Sequence, residues 1–227
     1  MLGDLTVKKL FITLIGVSAF GIIAQSASAV TLSFGGTPLA GEGEFSSVAG
    51  VTTIDFNSGS APTSGSIIYS APTPGPSIVS GNTPFHHVNP VNDNTPYLTV
   101  APLGTTQGTN PVEISFAQSI DYFGLYWGSV DPYNSISFYN DTTLIATFTG
   151  NDVPSQKRSS VYANFFADPG EMFNRIVLKS STTALESDNH AYKFATTVPE
   201  PVSTLSLFIL GALGVGSLLK RTKKSNN

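Results

Sequence analysis

The stretch SIDYFGLYWGSV, residues 119–130, decides the fold. Read as an extended chain, it places Ile120, Tyr122, Gly124 and Tyr126 on one face and Phe123, Leu125 and Trp127 on the other, because strand side chains alternate with a period of two. Both faces are apolar, which predicts a strand covered on both sides. Its neighbours carry the same period. Val112, Ile114 and Phe116 alternate in PVEISFAQ, and SISFY, TLIATF, SSVYANFF and NRIVLKS follow downstream. Turn residues punctuate them: Asn140-Asp141, which fits a tight hairpin, then Gly150 to Pro154 and Asp168-Pro169-Gly170. AYKFATT reads as a closing strand, and VTTIDFN, SIIYS and PYLTVAP as earlier ones. The runs Asn57 to Gly65 and Ala71 to Pro76 read as loops. Roughly eight to ten short strands at this spacing predict an all-β domain, a jelly-roll-like antiparallel β-sandwich, with a closed barrel as the runner-up.

Both ends of the chain differ from this middle. Lys8 and Lys9, the apolar run Leu10 to Ala24, and Ala27-Ser28-Ala29 have the three parts of a secretory signal, with cleavage before Val30. The small residues Ala27 and Ala29 and the polar Gln25-Ser26 argue for cleavage over a retained anchor. At the other end, Val202 to Leu219 is uncharged and long enough to span a bilayer as a helix. The basic residues Lys220, Arg221, Lys223 and Lys224 follow, and the positive-inside rule keeps them cytoplasmic. The expected organisation is a signal peptide over 1–29, an ectodomain over 30–197 on the outer side, and a C-terminal segment over 198–227 with a transmembrane helix at 202–219 and a basic tail at 220–224.

Six of the 11 basic residues (the two N-terminal lysines and the four of the tail) and two of the 15 acidic ones (Asp4, Glu200) lie in these ends. Residues 30–198 therefore keep 5 basic against 13 acidic residues, a net of −8. Such a domain repels a phosphate backbone, so no nucleic-acid partner is expected. With no cysteine, thiolate catalysis and cysteine-ligated metal centres are excluded.

Val198-Pro199-Glu200-Pro201, then the apolar stretch, then the basic cluster, closely resembles the PEP-CTERM sorting signal of exported bacterial surface proteins. The resemblance covers residues 198–224. It implies processing by exosortase, a membrane-embedded transpeptidase-like protease that recognises Pro199, Glu200 and Pro201 while the helix sits among inner-membrane lipid. It further implies a single-pass intermediate, followed by display at the cell surface or release, in company with exopolysaccharide. The two prolines also disfavour helix and sheet, which holds Glu200 in an extended, accessible segment. FGLYWGSVDPYNSISFYND and ESDNHAYKF resemble strands of jelly-roll domains in the same kind of protein; this implies fold and location without an activity.

Motifs for enzyme chemistry are missing: there is no G-x-S-x-G, H-E-x-x-H, Walker A or dinucleotide fingerprint. A glycan hydrolase needs facing carboxylates, and Glu113, Glu171 and Glu186 show no such pattern. The expectation is a non-enzymatic surface or matrix protein, with a carbohydrate-binding module as the alternative. For that alternative Tyr126, Trp127 and Tyr133 supply stacking faces, with Asp131 and Asn134 as polar contacts. The lone Trp127, in a strand apolar on both faces, reads more readily as core. No cofactor is expected apart from a structural Ca²⁺. Asp55 and Asp188 flank the expected first and last strands, which lie side by side in many jelly rolls, and Glu44 or Asn189 with backbone carbonyls could complete an oxygen site; ordinary turn chemistry at Asp188-Asn189 is the competing reading. His86-His87, adjacent in a proline-flanked run, reads as a solvated loop pair, since neighbours on an extended chain point apart.

Overall fold

A computed structural model describes residues 29–101, 109–157 and 159–196. The expected signal segment up to residue 28, the expected sorting motif at 198–201, the C-terminal apolar stretch and the basic tail lie outside the described residues. Among the described residues no helix is long and apolar enough to cross a membrane.

The described residues form strands β1 (Val30–Phe34), β2 (Thr37–Pro38), β3 (Glu44–Phe45), β4 (Thr52–Ile54), β5 (Ile67–Ser70), β6 (Ser77–Val79) and β7 (Tyr97–Val100). Six longer ones follow: β8 (Val112–Gly128), β9 (Asn134–Asn140), β10 (Thr143–Thr149), β11 (Ser160–Ala167), β12 (Phe173–Ser180) and β13 (Leu185–Phe194). Every pairing between these strands is antiparallel.

The opening stretch belongs to β8, which builds the sandwich by serving both layers. Its first half lies between β5 and β12, with Ile67↔Phe116 and Ile176↔Ile114 in register. Its second half lies between β11 and β13, with Phe165↔Phe123 and Tyr192↔Phe123. The halves meet at a bulge: pairing with β12 jumps from Ile120↔Phe173 to Ser115↔Arg175, and Ala117 and Gln118 are exposed there. Such a bulge bends and twists a strand, here where one layer gives way to the other. One layer thus runs β10-β9-β12-β8-β5, and the other β1-β11-β8-β13, extended along β13 by β4, β7 and β6.

Between the layers sits an aromatic core. Phe138 of β9 meets Phe165 of β11 and Phe173 of β12 at ring-centroid distances of 4.8 Å each, and Phe123 of β8 at 6.4 Å. Phe123, Leu125 and Trp127 belong to this core, as their shared face predicts. The opposite face of β8 is covered too, by different means. Tyr122 donates to Asn164 Oδ1 (2.7 Å) and its hydroxyl lies 2.7 Å from Ser46 Oγ. Tyr126 donates to the Val91 carbonyl at 2.6 Å. Gly124 separates them because a Cβ there would lie 2.3 Å from the Tyr122 hydroxyl and 2.8 Å from the Tyr162 ring.

Several boundaries depart from the sequence reading. The β9–β10 hairpin is present, but its two-residue turn is Asp141-Thr142, with Asp141 at φ +51° and Asn140 paired to Thr143. β13 begins at Leu185, well before AYKFATT, and the Asp188-Asn189 bend is a bulge inside it. Its register on β8 slips between Asp188 and Ala191, and Asn189 adopts φ +50°. β1 and β6 are missing from the sequence reading: VTLSF alternates over as many residues as SISFY and is legible, whereas the three residues SIV are too few to show a period.

Candidate functional site

The β2–β3 hairpin and the β6–β7 loop meet over the outer face of β8. Gly43 N–H donates to the Asn92 carbonyl (3.1 Å) and Asn94 N–H to the Gly41 carbonyl (2.9 Å). Gly43 sits at φ +70°, and a Cβ there would fall 2.4 Å from the Tyr126 ring, so only glycine lets the hairpin lie flat on that tyrosine. The side chain of Asn189 ties the hairpin to the β13 bulge, donating to the carbonyls of Glu42 (2.7 Å) and Glu44 (3.1 Å). Between hairpin and loop opens a cleft of about 470 Å³ lined by Pro38, Leu39, Gly41, Glu44, Asn92 and Tyr126.

Behind Gly43, two carboxyl groups are packed together. Asp93 is 2% exposed and Asp188 fully buried. Asp93 Oδ1 accepts from Thr95 N–H (2.9 Å) and from the Thr95 hydroxyl (2.5 Å), and the same hydroxyl lies 3.0 Å from Asp188 Oδ2. Asp188 Oδ1 accepts from Asn189 N–H at 2.7 Å. The remaining oxygen, Asp93 Oδ2, is buried without a hydrogen-bond partner. Burial pushes the Asp188 carboxyl up to about 9, with the adjacent Asp93 charge adding to the effect.

A second, smaller cleft of about 120 Å³ lies at the start of β13, lined among others by His86, His87, Ser129, Asp131, Tyr133 and Glu186. Glu186 is 2% exposed. Its Oε1 accepts from Val88 N–H at 3.1 Å, while Oε2 is buried without a partner. Desolvation, aided by the charge of Asp131 and opposed by the Val88 N–H and Ser129, raises its pKa to about 7. His190, fully buried, lies between the layers with Nδ1 2.9 Å from the Tyr69 hydroxyl and Nε2 2.9 Å from Ser187 Oγ. Its desolvation lowers the imidazole to about 3, so the ring is neutral.

The candidate ligand aromatics are dispersed. Trp127 is fully buried in the core, its face covered by protein. Tyr126 lines the larger cleft, where Gly43 covers its ring. Tyr133 lines the smaller one and donates to Asp131 Oδ2 at 2.7 Å; Asn134 is buried, donating to the Ser129 and Ala184 carbonyls. For the calcium reading, β4 does pair with β13, through Ile54↔His190. Asp55 nevertheless stays exposed and accepts from Asn57 N–H at 3.1 Å, while Asp188 has Asp93 as its carboxylate neighbour. Asn189 spends its amide on the hairpin carbonyls. Among the described residues no group of three or more His, Asp or Glu side chains is placed to hold a metal.

His87 is not a solvated loop residue. A Thr83–His87 turn folds its ring inward, buried, with Nδ1 2.6 Å from the Tyr97 hydroxyl. Of the carboxylates considered for hydrolysis, Glu113 pairs with Arg175 at 3.0 Å, Glu171 is exposed in the β11–β12 turn, and Glu186 is buried in the smaller cleft that Asp131 also lines. The reading of single residues missed Asp93; its signal was the turn-forming run Asn92-Asp93-Asn94-Thr95, whose burial only the hairpin above it produces. At the N-terminal boundary, the Ala29 carbonyl accepts from Asp168 N–H (3.1 Å), and Val30 is buried at the start of β1; Ala27 lies outside the described residues. No family model matches the chain, and no curated protein matches it.

Proposed function

We propose that the chain is an exported, non-enzymatic cell-surface or extracellular-matrix protein. A C-terminal helix anchors it in the inner membrane, an exosortase-type enzyme processes it, and its β-domain associates with exopolysaccharide. The observation that carries this reading is the ordered triad at 198–224: proline-bracketed Glu200, an uncharged 18-residue stretch from Val202 to Leu219, and a basic block. The bounds of the sandwich support it. The thirteen strands of the described residues lie between Val30, the residue after the expected signal cleavage, and Phe194, four residues before Val198. The finer fold reading, a jelly roll, is supported by the pairing of the early β4 with the final β13.

Mass spectrometry of the mature protein from its native host tests the proposal. Processing predicts a C-terminus upstream of Leu219–Lys224, and Glu200→Ala is expected to retain the tail. An intact tail on the mature wild-type protein refutes processing and leaves a permanent single-pass protein.

A further inference from the structure

We infer that Asp93 and Asp188 form the anionic side of a binding site for a hard divalent cation, Ca²⁺ by class, which clamps the β2–β3 hairpin and the Asn92–Thr95 loop onto the β13 bulge. The starting point is an unbalanced set of acceptors. Four carboxyl oxygens are buried together; the donors reaching them from other residues are Thr95 N–H, Asn189 N–H and one Thr95 hydroxyl hydrogen placed between two acceptors, and the two carboxyls otherwise meet only each other. Asp93 Oδ2 receives none of these, although Asp93 is 98% buried. It lies 3.4 Å from where a Gly43 side chain would begin, so it faces the underside of the cleft that Gly43 and Tyr126 line. The sole ion pair among the described residues, Arg175–Glu113, is built on β12 and the first half of β8, so no basic side chain pairs with either aspartate. Ionising both carboxyls here without a counter-ion is costly, and a cation offsets that cost for the two at once.

The donor chemistry selects the cation. The side-chain acceptors brought together are oxygens, two carboxylates and the Thr95 hydroxyl, while the Asn189 amide beside them is held by the Glu42 and Glu44 carbonyls. Oxygen-only sets suit Ca²⁺, whose six to eight ligands commonly include hydroxyl, carbonyl and water oxygens, so two carboxylates suffice. Asp188 thus keeps the role that the sequence suggested, but its partner is Asp93 and not Asp55. The inference stands apart from the sorting proposal, since it concerns the interior of the β-domain.

The test uses the full chain in mild detergent, stripped with EDTA and titrated with CaCl₂ while thermal unfolding is followed by circular dichroism. At roughly 100 times Kd, binding raises the melting temperature on the order of 5–10 °C. Asp93→Asn and Asp188→Asn remove that response, and Asp55→Asn retains it. Sensitised Tb³⁺ luminescence from the wild-type protein, quenched by added Ca²⁺, reports the site without any variant having to fold. The inference is overturned if Ca²⁺ causes no shift up to about ten times the ~10⁻³ M of weak extracellular calcium modules. An Asp93→Asn protein at least as stable as the wild type in Ca²⁺ also overturns it, since the two carboxyls then share a proton. So does loss of the response in Asp55→Asn.

Discussion

Replacing Glu186 by glutamine should invert the usual penalty for altering a buried side chain, and the effect should depend on pH in a defined direction. Glu186 is 2% exposed, with one carboxyl oxygen on the Val88 N–H and the other unpartnered. Desolvation first, and Asp131 second, raise its pKa from 4.5 to about 7. A carboxyl whose folded pKa exceeds its unfolded one binds more protons when folded. Its contribution to stability is therefore full below pH 4.5, falls as pH rises through the interval up to about 7, and is flat above. At ~1.36 kcal/mol per pH unit, that interval corresponds to on the order of 3 kcal/mol. Glutamine resembles the protonated acid in shape and in having a donor, and cannot ionise. Urea unfolding of both proteins between pH 4 and 8 should give similar stabilities at pH 4 and a Glu186→Gln protein more stable by about 2–3 kcal/mol at pH 8. Using the difference between the two proteins cancels other titrations, including that of His190, which has the opposite slope. A difference that stays flat across the interval, or that favours the wild type as pH rises, would refute the reasoning and show the carboxylate to be ionised and paired.

Three further outcomes follow from the core and the strand β8. Phe138→Ala, at the meeting point of the Phe123, Phe165 and Phe173 rings, should cost about 3–5 kcal/mol in chemical denaturation; a loss under ~1 kcal/mol would mean the layers are not packed through it. Gly124→Ala should destabilise by about 1–3 kcal/mol, because the new methyl meets the Tyr122 hydroxyl and the Tyr162 ring; an unchanged melting temperature would contradict that crowding. His190, held at about 3 by burial, should keep the imidazole resonances of a neutral ring down to about pH 4. Its contribution to stability is full above the unfolded pKa of 6.5 and lost as pH falls through that interval, and an NMR titration midpoint near 6.5 would show the ring to be solvated.

The buried polar groups divide by how local their causes are. Tyr122 and Tyr126 are buried because strand period and two-sided apolarity put them on a covered strand, and that was readable in residues 119–130. Asp93, Glu186 and His87 are buried because a hairpin, a loop or a turn closes over them from elsewhere in the chain, and hydrophobic periodicity carries no trace of such closure. Asp188 is intermediate. Its place beside the TIDFN strand was expected, though that strand is β4 and not the first, and the bulge that turns it toward Asp93 and away from Asp55 depends on the register of β13 against β8.

From the sequence alone follow the all-β class, the two-faced central strand, and the Trp127 and Phe123 core face. Each is local: period-two alternation, turn formers and uncharged runs act over a few residues at a time. Tertiary structure alone decided that β8 serves both layers through a bulge, that His87 and His190 are interior, and that Asp93 and not Asp55 faces Asp188. Those outcomes depend on backbone pairing between residues as far apart as Gly43, Asn92 and Asn189. Burial there is set by which segments close over one another, and not by the polarity of any one segment.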